Sequence, residues 1–535
     1  MPEAVSCGSS STRLSVLARV RAAAILGIDA YPVDVEVDLA NGLPSFSTVG
    51  LPSNAVREAR ERVTAALLNS GFEFPLKRIT ANLAPADVPK GGTAFDLAIA
   101  IGILAASGQC DGGALSRGLV LGELGLEGAL RPVRGALSLV ACAKALGAEW
   151  VVLPAPNAGE GGLVDGVEVL AADSLRAVVD HFGGTRRLGR RVAAAPVREA
   201  GSAPDFAEVR GQSLPKRAIE ITAAGGHNLL MVGPPGSGKT MLARRLPGIM
   251  PLLTHDESIE VTKIHSVAGL VSGDGRLIVE RPFRAPHHTV SDAGMTGGGT
   301  HPRPGEVSLS HRGVLFLDEL PEFRRNVLES LRQPVEDGVV TLSRAAFTVS
   351  YPARFMLVAA MNPCPCGQAG HPGRACTCSP DRVKGYRSRV SGPLLDRIDL
   401  QIEVPAVPWT DLGSLTAAEP SAAIRERVDQ ARQRQRARFG GQAFGTNAEL
   451  RGGAIDRWCG ADRDGRSLLG RAVERYALSA RAYVRVLKVA RTIADLEGSE
   501  TVRGPHVAEA IRYRIAERVS EGAGRPAVGA GTPPD

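Results

Sequence analysis

Residues 233–240 read GPPGSGKT and residues 314–320 read VLFLDEL, two strings whose residue types suit the handling of phosphates. The first fits G-x-x-x-x-G-K-[ST], with Gly233, Gly238, Lys239 and Thr240 on the fixed positions and Pro234, Pro235, Gly236 and Ser237 between them. Glycines let backbone N–H groups turn toward phosphate oxygens, a lysine in this place reaches the β and γ oxygens, and a threonine hydroxyl can join the shell of Mg²⁺. Met241 follows in MLARRL, the expected helix whose positive N-terminal end faces the phosphates, and LLMV (229–232) reads as the buried parallel strand that leads in. In the second string an apolar strand delivers Asp318 to the metal, and Glu319 can polarise an attacking water. The pair is the signature of a Mg²⁺-dependent nucleoside-triphosphate hydrolase.

Positioning these groups takes more than one domain. The chain has 535 residues, enough for about three domains at roughly 150 residues each. Residues 206–405 alternate strands and helices as a P-loop α/β domain should, and 406–517 carry helical periodicity in 422–439, 467–478 and 480–498. Residues 16–182 are mixed: 33–39 alternate like a strand, whereas 55–71 and 95–108 look helical. Between these blocks, 183–205 are rich in Gly, Ala, Pro and Arg and read as a linker, and 405–419 as a weaker break. The first 15 residues are expected to be a flexible extension, and the tail from about 518–519 to be disordered.

Composition narrows the classes. The formal net charge of +7 permits a polyanionic partner, and an aromatic content of 4% weakens any base-stacking platform. No apolar run approaches the roughly 18 residues of a membrane span, and Arg13, Arg19 and Arg21 interrupt any signal-peptide core, so a cytoplasmic protein without a membrane partner is expected. Four of the eight cysteines are scattered; the other four, Cys364, Cys366, Cys376 and Cys378, form two C-x-C pairs nine residues apart. Four thiolates can close a structural Zn²⁺ site, with His371 able to replace one sulfur; four reduced thiols in a loop is the alternative. Such a metal would brace an interface between subunits.

The strand FMLVAAM (355–361) ends in Asn362, SGPLLDRIDL (391–400) supplies Arg397, and LSARAYVRVLKVA (478–490) supplies Arg481. Here the chain resembles the AAA+ superfamily, in the helix-2-insert group that holds the magnesium chelatase I subunit and the MCM helicases. That resemblance implies Asn362 as sensor 1, Arg397 as the arginine finger and Arg481 as sensor 2. An arginine finger acts on a neighbouring subunit's nucleotide, which implies a ring, a homo-hexamer. The alternative is that Arg397 and Arg481 are surface arginines in ion pairs. The strings RPFRAPHHT (281–289), GGGTHPRPGEVSLSHRGVLFLDELPEF (297–323), 336–367 and 386–400 resemble the YifB/ComM family of magnesium-chelatase-like ATPases from about 16 to 516, and VRGQ (209–212) fits its adenine side. Its members are AAA+ motors, and hydrolysis of Mg-ATP and branch migration in DNA uptake or recombination are what the resemblance implies.

By the same likeness, 338–352 resembles a pre-sensor-1 hairpin with Arg344 near its tip, and the stretch around Gly297, Gly298 and Gly299 a helix-2 insert, both facing a pore. Arg344 then grips DNA phosphates, or pairs with an acid of the next subunit. The helix 422–439 carries Arg425, Arg427, Arg432, Arg434, Arg436 and Arg438, read as a solvated face sooner than a DNA contact, and His287 and His288 could touch the insert or the nucleotide but read sooner as structural. The first domain resembles the proteolytic domain of Lon protease, but its Ser and Lys positions fall on Ala94 and Leu137, with only Thr93 and Lys90 nearby. The expected fold is therefore α/β: a Lon-protease-like α+β domain without its dyad, an AAA+ core with two inserts, and a C-terminal helical lid. The expected function is a DNA-remodelling motor; a motor remodelling a protein partner and an ATP-dependent protease are the rivals.

Overall fold

The computed structural model describes residues 16–88, 90–190, 204–271, 275–299, 302–344, 347–371, 373–406, 418–442 and 444–522. The described residues form two compact units: those within Met1–Val197, Ile259–Leu277 and Ser343–Val349, and the remainder.

In the first unit, β1 (Val16–Leu26), β2 (Asp29–Ala40), β3 (Ser45–Val49) and β4 (Arg78–Ala84) form a sheet in the order β1-β2-β4-β3, antiparallel except for the β3–β4 pair. Along β2, Val33, Val35, Val37 and Leu39 are buried and alternate with more exposed neighbours, the period-two pattern that makes 33–39 legible as a strand. A second sheet joins β5 (Gly118–Val120) to three further strands, after the short hairpin β6 (Glu123–Leu124) and β7 (Leu130–Arg131). Its other members are β8 (Trp150–Pro154), β9 (Glu168–Ala172) and β10 (Gly189–Arg190), in the order β10-β9-β8-β5. The stretch read as a linker thus contains a short strand, because β10 pairs with β9. The helix Asp96–Ala106 is buried on nearly every face, as its composition of Ala, Ile, Leu and Gly allows.

The second unit is built on a five-stranded, wholly parallel sheet. Its strands are β11 (Leu229–Val232), β12 (Phe283–Arg284), β15 (Val314–Leu317), β18 (Met356–Met361) and β19 (Leu400–Glu403), ordered β12-β15-β18-β11-β19. β15 and β18 are unbroken apolar runs with every residue buried, as strands covered on both faces must be. β13 (Gly297–Gly298) pairs with β14 (Arg303–Pro304), and β16 (Val339–Arg344) with β17 (Phe347–Pro352). Tyr351 Oη of β17 donates to Pro302 O at 2.9 Å, tying the two inserts together.

Helices Ser421–Phe439, Arg463–Tyr476, Ala480–Leu496 and Gly504–Gly522 complete this unit. The last continues to residue 522, so 519–522, expected in the disordered tail, are helical. Arg436 is exposed, as a solvated face would have it, but the other five arginines of Ser421–Phe439 are engaged within the fold. A helix ends on carbonyls without intrahelical donors, and these guanidinium groups supply donors to three such ends. Arg432 Nη2 donates to Ala223 O at 2.8 Å, Arg425 Nε to Gly248 O at 2.8 Å and Arg434 Nη1 to Asp495 O at 2.8 Å. Those acceptors lie in the last turns of helices Ser213–Gly225, Lys239–Ile249 and Ala480–Leu496, where the helix dipole also favours a cation. Arg438 and Arg491 both pair with the fully buried Asp495, and Arg427 with Glu220 and Glu419.

Candidate nucleotide site

Because the sheet is parallel, β11, β15 and β18 all open their carboxyl ends at one edge, the place where open α/β sheets bind ligands. Residues 233–238 leave β11 there and run into the helix Lys239–Ile249. Gly233 has no room for a side chain: a Cβ would lie 2.2 Å from Val404 O. Gly236 and Gly238 sit at φ +76° and +88°, where a β-carbon is strained. Gln212 of VRGQ donates from Nε2 to Ser237 O at 2.6 Å and so holds the loop from its other side.

Lys239 Nζ spends its three donors on Gly233 O at 2.7 Å, Pro234 O at 2.9 Å and Asn362 Oδ1 at 3.3 Å. Burial pushes its pKa down, while Asp318 and Glu319 counter this by favouring the ammonium. Thr240 Oγ1 donates to Asp318 Oδ2 at 2.6 Å. This hydroxyl and carboxylate are the hard oxygen donors that Mg²⁺ prefers, and they stand at the N-terminus of the helix that follows the phosphate loop, so the residues fit Mg-ATP. Bound there, the ion would neutralise charge on the phosphates.

Glu319 lies beyond the end of β15 with φ +53°, a left-handed conformation uncommon for a glutamate. Its N–H donates to Asp318 Oδ1 at 3.0 Å, and its side chain is more than half exposed. His288 Nδ1 stands 3.7 Å from Glu319 Oε2, and the His287 and His288 rings lie 4.1 Å apart. Of the histidines of RPFRAPHHT, His288 thus borders the Glu319 carboxylate, with His287 stacked beside it. Nothing in their local spacing announces this, since the contact depends on the parallel pairing of β12 with β15.

Arg397 and Arg481 do not join this group. Both line a separate cavity of about 740 Å³ to which none of residues 233–240, Asp318, Glu319 or Asn362 contributes. Its lining carries ten Arg or Lys side chains against five Asp or Glu, so it suits an anionic group. Arg397 pairs with Glu336 and donates from Nη1 to Pro393 O at 2.8 Å. Burial opposes ionisation of Glu336, but Arg397, and then Arg481 and Arg485, hold its carboxyl below the ordinary range. Arg485 in turn pairs with the buried Asp399, which also accepts from Asn228 N at 2.9 Å.

Arg344 ends β16, at the tip of its hairpin; its side chain lies outside the described residues. The four sulfurs of Cys364, Cys366, Cys376 and Cys378 lie within 4.8 Å of one another, a group that could hold a metal ion. His371 is not part of it; its Nδ1 accepts from Gly373 N at 3.0 Å. In the first unit Leu137 is buried and Ala94 half-buried, neither able to act as a nucleophile or base, and Thr93 Oγ1 is engaged by Glu123. Among the described residues no helix is long and apolar enough to cross a membrane.

The family description "Magnesium chelatase, subunit ChlI" matches residues 205–412, "Subunit ChlI of Mg-chelatase" residues 35–157, and "Magnesium chelatase, subunit ChlI C-terminal" residues 418–514. The chain is 45% identical over 504 residues to the uncharacterized protein YifB of Salmonella typhimurium, covering 94% of this chain and 98% of that protein. It is 45% identical over 512 residues to the competence protein ComM of Haemophilus influenzae, covering 94% and 98%. With the magnesium-chelatase 38 kDa subunit of Cereibacter sphaeroides it shares 25% identity over 174 residues, 30% of this chain and 52% of that protein. The chain belongs to the YifB/ComM family of magnesium-chelatase-like AAA+ proteins.

Proposed function

We propose that this protein is a ring-forming Mg-ATP hydrolase, a homo-hexameric motor that translocates on or remodels DNA. The observation that carries the ATPase half is the convergence of Lys239, Thr240, Asp318 and Asn362 at one sheet edge. In this reading Thr240 and Asp318 hold Mg²⁺, Lys239 steadies the phosphates, Glu319 draws a proton from the attacking water and Asn362 orients that water. Arg397 and Arg481 line a cavity apart from these residues, which supports their acting on the nucleotide of the adjacent subunit.

The DNA half rests on the net charge of +7, on the family, and on the paired inserts joined by Tyr351 and Pro302. In a ring the hairpin ending at Arg344 faces the pore and grips phosphates without reading bases. The first unit, Lon-like and without a dyad, serves as a platform, not a protease. The likeness to a magnesium-chelatase subunit favours one other reading, a motor that remodels a protein partner. ATPase rates with and without single-stranded and forked DNA, at low and high salt, separate the two. Stimulation that fades steeply with salt is expected for DNA; equal rates and no salt-sensitive binding would reject it.

A further inference from the structure

Two residues past Asn362, the chain enters a loop that carries a C-x-C on each limb. Cys364 is fully buried, Cys366 and Cys378 are half-buried, and Cys376 is exposed. Cys364 Sγ lies 3.4 Å from Cys366 Sγ and 3.6 Å from Cys376 Sγ, and Cys366 and Cys376 are 3.6 Å apart. A disulfide would bring two sulfurs to about 2.05 Å, so these are not bonded pairs. Four sulfurs at about 2.3 Å from a single Zn²⁺ define a tetrahedron with edges of about 3.8 Å, close to the spacing here. A cluster of several irons would hold its cysteine sulfurs farther apart.

One backbone N–H is turned onto the buried sulfur, as such groups are around bound thiolates. Ala369 N donates to Cys364 Sγ at 3.3 Å. Gathering four thiols from separate limbs of a partly exposed loop costs chain entropy, and thiol–thiol contacts return little of it. A metal ion offsets that cost. The loop also touches the phosphate loop of its own chain. Gly367 sits at φ +76°, and a Cβ there would lie 2.6 Å from Pro235 Cδ.

We propose that Cys364, Cys366, Cys376 and Cys378 bind one Zn²⁺ as a closed tetrathiolate site that fixes the Asn362 end of β18 against the phosphate loop. Four protein ligands leave no open position, so the ion is structural. Its brace is internal to one chain, between the loop after β18 and Pro235, in place of the subunit brace expected from sequence. The coupling to turnover rests on the nucleotide-site reading above; the metal itself does not.

The test uses the full chain, purified without a metal-affinity step, with metal content measured by mass spectrometry. About one zinc per chain is expected, falling at least severalfold in Cys366→Ser/Cys376→Ser. Replacement with Co²⁺ should give the thiolate charge-transfer and tetrahedral ligand-field bands. A wild-type chain free of metal, with all four thiols open to a thiol reagent in the folded state, would overturn the site; iron in place of zinc would overturn its identity. ATP binding and turnover of the same variant test the brace. Turnover should fall about tenfold or more while far-ultraviolet circular dichroism is kept; an unchanged rate in a zinc-free, folded variant would overturn the coupling. A wild-type protein that holds zinc but hydrolyses no ATP leaves the site standing and rejects the proposed function.

Discussion

Lys239 donates from Nζ to Asn362 Oδ1 at 3.3 Å, linking the phosphate loop to the end of β18 across 123 residues of sequence. This bond holds the Asn362 amide at the phosphate loop, and in the proposed function that makes Asn362 a partner in turnover more than in affinity. Asn362→Ala should lower kcat by about 10²-fold while ATP affinity changes by less than about threefold. Steady-state kinetics with a fluorescent-nucleotide titration checks it. A large loss of affinity at unchanged kcat would remove Asn362 from the reaction.

Glu319 and His288 lie 3.7 Å apart, yet both are exposed enough for water to screen the pair. The magnitudes therefore differ sharply. Glu319→Gln should bind ATP and lose at least about 10²-fold in turnover, whereas His288→Ala should stay within about threefold, as a solvent-screened contact does. Comparable losses in both would mean that His288 positions the carboxylate and is not a bystander.

Asp495 is fully buried between Arg438 and Arg491, and Asn447 Nδ2 donates to it at 2.8 Å. Asp495→Ala strands two cations in the lid and should cost about 3–5 kcal/mol. Replacing the exposed Arg436 with methionine should cost less than about 0.5 kcal/mol. Urea unfolding of both variants decides whether the arginine-rich helix is a clasp, as the carbonyl contacts indicate; equal, small effects would contradict that.

Acid sensitivity should trace to Asp399. Burial opposes its charge, but Arg485, His227 and the Asn228 N–H outweigh burial and hold its pKa below the ordinary 3.8. The folded state therefore binds this proton less readily than the unfolded chain. The resulting stability is full above about pH 4 to 5 and is lost as pH falls below that. Asp399→Asn should lower stability at pH 7 by about 3 kcal/mol and flatten the decline on the acid side. Urea midpoints between pH 7 and 3 measure both; an unchanged slope would place the acid sensitivity elsewhere.

What the sequence disclosed follows from how local each signal is. β11, β15 and β18 are short, wholly apolar runs that end in glycine, aspartate and asparagine, so strand and chemistry can be read in one string. The arginines of Ser421–Phe439 defeat such reading. A run of like charge looks solvated until the helix ends at Ala223, Gly248 and Asp495, remote in sequence, are brought beside it. His288 is hidden for the same reason, its partner Glu319 lying on another strand's end. The C-x-C pairs announce sulfur ligands, but only the folded loop shows all four converging and His371 turned to its own backbone.

The central claim, a nucleotide site completed by a neighbouring subunit, is tested most directly by mixing two inactive variants. Arg397→Ala keeps its own Lys239, Asp318 and Glu319; Glu319→Gln keeps its own Arg397. In mixed rings some interfaces pair an intact phosphate site with an intact arginine, about a quarter of them at equal proportions. Recovery of ATPase activity toward that fraction is the predicted result. Mixtures no more active than either variant alone, with mixed assembly verified by native mass spectrometry, would contradict it.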